Sequence, residues 1–430
     1  MTPAPPPSRS AAGTLSVDVA VVGAGVIGLA AAWELRRRGR SVAVIDPDPG
    51  AGASLAAAGM LAPVSEMQYR QETLYPLMAA SAAEYPAFVA ALEQATGQAV
   101  DYRRTETLVC GVDAADRQAL ADLRLLQQSS GTVVEQVALR AARRLEPALS
   151  PRLSAVFRIP ADHQVDPRRL VAGLLAALAA PEVSGTGSAD GGPAQLIRAA
   201  AAGLRWRNRT VTGVVLADGR EVAAEQTLLA PGTGLNGLRN LPHGYAPPLR
   251  PVHGDILRTR SAGGRQLLGH TVRGLVHGVP VYLVPRNDGT VVIGATSRED
   301  GRDQPSAGGV FALLRDAQAL VPAVADLDVA EVMARARPGT PDDLPYLGRL
   351  LDPDAVPVPG VAVSTGFFRH GVLLAPLAAR LAAQLLTGVP GDQPEADARH
   401  LAATNPHRFD HTRSHPEPDL FPTAASNRST

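Results

Sequence analysis

Arg369 lies in a segment that suits it to bind an anion. It stands in "STGFFRHGVLLAP", between aromatic residues and an apolar run. A guanidinium stays charged at physiological pH, so burying it is costly unless an anion meets it. The segment therefore predicts an anionic ligand for Arg369. A second arginine, Arg337, precedes Pro-Gly in "RARPGTPDD", and the residues alone favour a surface pairing with Asp342 or Asp343 there.

A glycine-rich turn near the N-terminus indicates a second binding function. Gly23, Gly25 and Gly28 form G-x-G-x-x-G, which follows a β-branched run and opens an apolar helical pattern. Asp46 ends the next predicted strand. Such glycines let a pyrophosphate approach the helix N-terminus, and the acid accepts hydrogen bonds from a ribose. Strand, motif, helix and acid in this order predict a dinucleotide-binding fold.

Other patterns predict the elements around these segments. A hairpin turns at Asp218-Gly219, and alternation over about 249–336 predicts an antiparallel sheet with one face available for a ligand. Pro376 suits a first helical turn, so a helix is expected to begin near Val372. The N–H groups of its first turn would face an anion.

Composition and charge exclude several classes of function. The chain has 41 basic and 41 acidic residues, so no net charge favours nucleic acid or an anionic membrane. Every basic residue is an arginine, which excludes catalysis through a lysine Schiff base. The one cysteine, Cys110, cannot form an internal disulfide or a zinc cluster, and we expect a reducing compartment. The N-terminus lacks a signal-like apolar region, so we expect a cytoplasmic protein.

Four segments together resemble a known family. The dinucleotide motif, "SLAAAGMLAP", "RPGTPDDLPYLG" and "STGFFRHGVLLAP" are similar to those of the D-amino-acid-oxidase-type flavoproteins, and within them to the glycine oxidases. The resemblance covers about 17–388 and implies an α/β fold with non-covalently bound FAD. It implies a Rossmann-like FAD-binding domain and a second, antiparallel-sheet substrate domain. The first takes 17–100, 150–248 and 337–403, and the second takes 101–149 and 249–336. We expect disordered tails at 1–16 and 404–430 and a flexible insert at 181–193.

The resemblance also implies the cofactor contacts, residue by residue. They fall at the pyrophosphate turn, the ribose, the flavin ring and the flavin's pyrimidine edge, at Gly23, Gly25, Val26, Ile27, Gly28, Asp46, Ala53, Ser54, Ala58, Gly59, Met60, Phe367, Phe368, Arg369, His370, Gly371, Val372 and Leu373. Ala201 is placed at the adenine by a poorer match in "LIRAAAAGL". No metal site is predicted.

The implied substrate is a small amino acid lying over the flavin. Its carboxylate would be held by Arg337 and Arg369, and Tyr282 would line the site. The implied reaction oxidises glycine, sarcosine or D-alanine with dioxygen to the imine or 2-oxo acid, ammonia and hydrogen peroxide. It would supply iminoacetate to a thiazole synthase for the thiazole of thiamine. Ser297 stands where some relatives have methionine, which predicts a roomier or more polar pocket.

Other functions stay open at this point. A sarcosine oxidase or a D-amino-acid dehydrogenase would share most of these motifs. An NAD-dependent dehydrogenase would leave "AAAGML" and "FFRHG" unexplained, and no feature favours a non-catalytic flavin-binding protein. The sequence assigns no general base, and it leaves open whether the protein is a homo-oligomer.

Overall fold

The computed structural model describes residues 15–181 and 194–410. The predicted insert, from residue 182 on, and most of both predicted tails lie outside these described residues. The helices are α1 (Val26–Arg37), α2 (Ala53–Ala56), α3 (Leu74–Thr96), α4 (Ala114–Ser129), α5 (Leu139–Leu145), α6 (Pro167–Ala179), α7 (Ala307–Leu320), α8 (Gly371–Thr387) and α9 (Pro394–Ala403). The strands are β1 (Leu15–Val22), β2 (Val42–Ile45), β3 (Met60–Leu61), β4 (Thr107–Gly111), β5 (Glu135–Val137), β6 (Ala155–Ile159), β7 (His163–Gln164), β8 (Gln195–Ile197), β9 (Ala201–Arg207), β10 (Thr210–Leu216), β11 (Glu221–Leu229), β12 (Arg250–Arg260), β13 (Thr271–Val276), β14 (Val279–Pro285), β15 (Thr290–Gly294), β16 (Asp328–Gly339), β17 (Tyr346–Leu351) and β18 (Pro357–Thr365).

The first sheet contains the predicted dinucleotide-binding strands. Its order is β17-β18-β11-β1-β2-β8, and the β9–β10 hairpin extends from β11. β1 runs parallel to β2 and β11, and β11 runs parallel to β18. The apolar run of β1 is therefore buried on both faces, as parallel strands require. On one face it meets a core formed by α1, α3, α6 and α8, which includes Trp33 and Tyr85.

The second sheet has the order β16-β12-β15-β14-β13-β4-β6-β5. Its neighbours are antiparallel except β13 and β4, which are parallel. The α/β fold with a mainly antiparallel second sheet agrees with the prediction. β6 belongs to this sheet although 150–248 was predicted to lie in the cofactor domain, because β6 pairs with β4 along its whole length. The predicted boundary at residue 337 falls inside β16.

The folded part of the chain includes residues that were predicted to belong to the two tails. Leu15 and Ser16 already belong to β1, where they pair with Val222 and Ala223. Residues 404–410 also fold onto the protein, since the buried Thr404 accepts from the N–H of Leu347 at 2.9 Å. Short polar segments of this kind give no sequence signal for a docked strand or turn. Residues 1–14 and 411–430 lie outside the described part of the chain.

A buried arginine joins α1 to the end of α6. Arg36 is only 4% exposed, and its guanidinium donates to the carbonyls of Ala177 at 2.8 Å, Leu178 at 3.1 Å and Ala180 at 3.0 Å. The last carbonyls of a helix lack partners within the helix, and a cation there is favourable. Burial lowers the pKa of Arg36, so these carbonyls are what offsets the desolvation of its charge.

Arg36→Met should lower the free energy of unfolding by about 2–4 kcal/mol, because it removes charge-assisted hydrogen bonds to three buried carbonyls. Arg37→Met on the same helix is the matched control. Arg37 is more exposed and pairs with Glu34 at 3.1 Å, so the loss should be about 1 kcal/mol or less. Urea unfolding of both variants measures the difference, and equal losses would contradict the assigned role of Arg36.

Candidate cofactor and substrate site

A cavity of about 1000 Å³ lies between the start of α1, the segment from α2 to β3, the strands of the second sheet and the start of α8. Every predicted cofactor position lines it except Gly28 and Ala201. The predicted substrate residues Arg337, Arg369 and Tyr282 line it as well, together with Ser297. The fold thus brings segments from distant parts of the chain to one cavity.

At one end, the glycine turn closes tightly onto the first sheet. Gly23 has φ +102°, and a Cβ there would overlap the carbonyl oxygen of Ala230. A Cβ on Gly28 would overlap the carbonyl of Gly23, so Gly28 packs the helix against the turn instead of lining the cavity. Asp46 accepts from the N–H of Ala24 at 2.7 Å, which ties the end of β2 to the turn.

The contact predicted for Ala201 is not formed. Ala201 begins β9 and pairs with Leu216, away from the cavity. The strand beside β2 is β8, whose Ile197 accepts from the N–H of Asp46 at 3.1 Å. The strand that borders β2 is therefore β8 and not β9, and neither strand contributes a residue to the lining of the cavity. The alanine run of this segment gives no side-chain pattern that could have fixed where the strand ends.

The segment from Phe367 to Leu373 closes the cavity opposite α1. Phe368 adopts φ +44° and donates its N–H to the carbonyl of Pro338 at 2.9 Å, which joins this turn to β16. α8 begins at Gly371, one residue before the predicted start, and has no side-chain cap. Its first N–H groups are therefore free to donate to an anion in the cavity.

Arg337 lies partly buried at the other end, on β16. Its guanidinium donates to the carbonyl of Thr296 at 3.3 Å, and no ion pair joins it to a carboxylate among the residues described. The alternative surface pairing is not formed, because Asp342 pairs with Arg408 at 2.8 Å and Asp343 with Arg250 at 3.5 Å. Burial lowers the pKa of Arg337, and the charge of Arg369 lowers it further against the opposing influence of Tyr282.

Arg369 differs from the expectation of a buried cation. Its side chain is exposed at the cavity, and its guanidinium lies over the ring of Phe368 at 5.2 Å from the centroid. It forms no ion pair with the described carboxylates, yet it is close enough to act on the pKa of Arg337. Two like charges at one cavity favour an anion that binds between them.

The family follows from a comparison with known proteins. The family model named DAO, FAD dependent oxidoreductase, matches residues 18–385. The chain belongs to this family. FAD is accordingly its cofactor, and the resemblance read from the motifs is confirmed.

Relatives cover most of the described chain. A glycine oxidase of Geobacillus kaustophilus is 33% identical over 374 residues, which are 86% of this chain and 92% of the relative. The crystal structure of glycine oxidase from the same organism has a TM-score of 0.76 and 30% identity over 88% of this chain and 96% of that chain. A protein named Bifunctional protein ThiO/ThiG of Trichormus variabilis is 31% identical over 87% of this chain. The chain spans about half of that relative's length, 53%.

The cavity fits FAD in its shape and in its donors. The close glycine turn leaves space where side chains would otherwise stand, and the start of α1 faces that space. Ser54 accepts from the N–H of Val26 at 3.0 Å, which fixes the segment of α2 against α1. Gly59 has φ +75°, and a Cβ there would overlap the carbonyl of Val165, so the backbone beside the flavin position is also closely packed.

The sequence patterns did not predict an ion pair that lines this cavity. Glu66, 8% exposed, pairs with Arg273 of β13, and both line the cavity. The Arg273 guanidinium also lies 3.8 Å from the sulfur of Met60. Burial acts to raise the pKa of Glu66, but Arg273, Arg369 and His370 lower it to about 2. A lone acid in the apolar run "LAPVSEMQY" was the available signal.

Two glycines make room for the side chains of Arg337 and Tyr282. A Cβ on Gly254 would overlap the guanidinium of Arg337, and a Cβ on Gly294 would overlap the hydroxyl of Tyr282. Gly254 and Gly294 do not have positive φ, so their backbones would accept alanine. Gly254 and Gly294 are therefore needed because they lack a side chain, and not because their backbone conformation requires glycine.

Across 15–181 and 194–410, no group of three metal-ligating side chains could hold a metal ion. Over the same residues, no helix combines the length and the apolar character needed to cross a bilayer.

Gly254→Ala should weaken the binding of a simple carboxylate such as glycolate by about 10- to 100-fold, because the new Cβ displaces the Arg337 fork. FAD should remain bound and the unfolding temperature should stay close to that of the parent. Titration followed by the flavin absorbance measures the affinity. Gly308→Ala in α7 is the control, since a Cβ there meets nothing within 4 Å. Unchanged glycolate affinity in Gly254→Ala would contradict this placement of Arg337.

Proposed function

We propose that this FAD-dependent oxidoreductase oxidises glycine and other small amines, including sarcosine and D-alanine. The Cα hydrogen leaves as a hydride and the nitrogen loses a proton, which gives the imine. Water converts the imine to the 2-oxo acid and releases ammonia or, from sarcosine, methylamine. Dioxygen takes up the two electrons and two protons to form hydrogen peroxide. The observation that carries the proposal is Arg337 beside Tyr282 in the cofactor cavity, with no carboxylate partner of its own among the described residues.

The residues of the chain bind and orient the substrate. FAD, when bound, supplies the hydride acceptor. Arg337 holds the substrate carboxylate through its planar fork, and Arg369 adds a second positive charge at the same cavity. Tyr282, on β14 of the same sheet, borders the carboxylate position. A fixed carboxylate orients the Cα hydrogen of glycine or a D-amino acid, so positioning is the main contribution of the protein.

Several features support non-covalent binding of FAD and a role in supplying iminoacetate. Cys110 is buried in β4 and does not line the cavity, so it is not placed to form a covalent bond to the flavin. The relatives named ThiO/ThiG support a role in supplying iminoacetate to a thiazole synthase for thiamine. A sarcosine oxidase or a D-amino-acid dehydrogenase is the alternative, because Ser297 lines the cavity where a larger residue would narrow it.

Oxidation of an amino-acid panel under air tests this proposal. Glycine, sarcosine and D-alanine should reduce the flavin and yield stoichiometric peroxide. D-leucine and D-phenylalanine should be at least tens-fold slower, since each extra methylene in a small pocket changes discrimination by about 1–3 kcal/mol. L-amino acids should fail, and acid precipitation should release all FAD into the supernatant. A preference for D-leucine over glycine, or flavin reduction without peroxide, would contradict the proposal.

Arg337→Ala should raise the KM for glycine by a few tens- to several hundred-fold while FAD stays bound. The loss of a charge-assisted bidentate contact corresponds to about 2–4 kcal/mol. Arg337→Lys should restore only part of the affinity, because an ammonium cannot form the planar fork. Steady-state kinetics over a glycine series measures both variants. Unchanged turnover in Arg337→Ala would show that the carboxylate binds elsewhere.

A further inference from the structure

The Glu66–Arg273 pair is a feature of the cavity that the proposed reaction does not use. Its two side chains come from separate elements, since Glu66 follows β3 and Arg273 lies on β13. Both are largely shielded from solvent, with 10% and 16% of the side chains exposed. Arg273 is also directly across from Tyr282 in the ladder of β13 and β14. The pair therefore borders the space where the substrate would lie.

The charges around Glu66 come from several elements of the site. Arg273 contacts it, and Arg369 and His370 act on it from the turn before α8. Glu66 acts in turn on Tyr282 of β14 and on Arg337 of β16. The buried Asp162 is the other acid near Arg273, and it accepts from the N–H groups of Val64 and Ser65 at 3.2 Å. Asp303, which also lines the cavity, is 84% exposed and pairs with His253.

The reaction needs a neutral amine, although a free amino acid enters as an ammonium. A hydride leaves Cα readily only when the nitrogen has a lone pair to share. An unpaired buried carboxylate beside the bound amine would attract the ammonium and keep its proton in place. Positive charges nearby have the opposite effect and favour loss of the proton. The state of Glu66 therefore bears directly on the reactive form of the substrate.

We propose that Arg273 neutralises Glu66 so that the bound substrate amine sits in a net positive site and loses its proton at lower pH. This inference rests on the proposed function. Asp343, which follows β16, is near enough to Arg369 for their charges to interact, but it pairs with Arg250 at 3.5 Å. Once the substrate carboxylate meets Arg337 and Glu66 meets Arg273, the charge of Arg369 is therefore left over. Arg273 and Glu66 are thus positioning residues that act through the charge of the site, and neither takes the proton itself.

The pH dependence of flavin reduction in stopped flow without oxygen tests this inference at saturating glycine. Glu66→Gln leaves Arg273 unpaired and adds a positive charge to the site. The pH at which reduction is half-maximal should fall by about one to two units, the usual size of the effect of one added charge near a titrating group. The double variant Glu66→Gln/Arg273→Met is neutral again and should return to within a few tenths of a unit of the parent.

Glycolate binding gives a second measurement that does not depend on turnover. Glycolate has the carboxylate but no amine, so Glu66→Gln should bind it several-fold more tightly and the double variant should bind it like the parent. Equal shifts of the pH profile in both variants, or none in either, would overturn the inference. If the parent flavin is not reduced by glycine at all, the proposed function fails. The glycolate series would then still report whether the pair controls the charge of the site.

Discussion

The site depends on holding the positive charge of Arg337 in the cavity with no carboxylate paired to it among the described residues. The guanidinium meets only the carbonyl of Thr296 and the neighbouring Tyr282, while Arg369 acts against it. A charge left in this state is unfavourable for folding and favourable for binding an anion. The folded protein therefore keeps a positive charge in the cavity that favours the binding of an anion there.

The second sheet provides the rigid support for this charge. β12 and β16 pair over nearly their whole length, so the backbone around Arg337 has little freedom to relax. Gly254 on β12 leaves the space that the guanidinium occupies, and Phe368 binds the backbone of β16 next to it. Arg337 and the segment from Phe367 to Leu373 are thereby fixed relative to each other, which is the positioning that the proposed reaction needs.

The sequence predicts those parts of the site that rest on local patterns. Gly23, Gly25 and Asp46 form a motif within one strand, helix and strand. The start of α8 was predicted to within one residue, although Pro376 lies inside the helix and not in its first turn. The fold class, the family and the cofactor were therefore predicted correctly. The roles of individual substrate-site residues stay predictions.

The parts of the fold and the site that the sequence did not predict depend on contacts between distant segments. Glu66 and Arg273 are 207 residues apart, and neither lies in a motif that would indicate the other. β6 joins the second sheet by pairing with β4, which composition cannot reveal. The apolar neighbours of Arg369 predict a buried side chain. The side chain is instead exposed at the cavity, where its guanidinium lies over the ring of Phe368.

The order in which the chain visits the two sheets has a consequence for biosynthesis. β1 and β2 belong to the first sheet, and β4 to β6 belong to the second. β8 to β11 are again in the first sheet, β12 to β16 are in the second, and β17 and β18 complete the first. A chain is synthesised at about 5–20 residues per second, and its N-terminal part emerges from the ribosome first. β1 can pair with β2 early, but its other neighbour, β11, follows some two hundred residues later. Of the segments that line the cavity, Phe367 to Leu373 is synthesised last, so the cavity is incomplete until translation has passed residue 373.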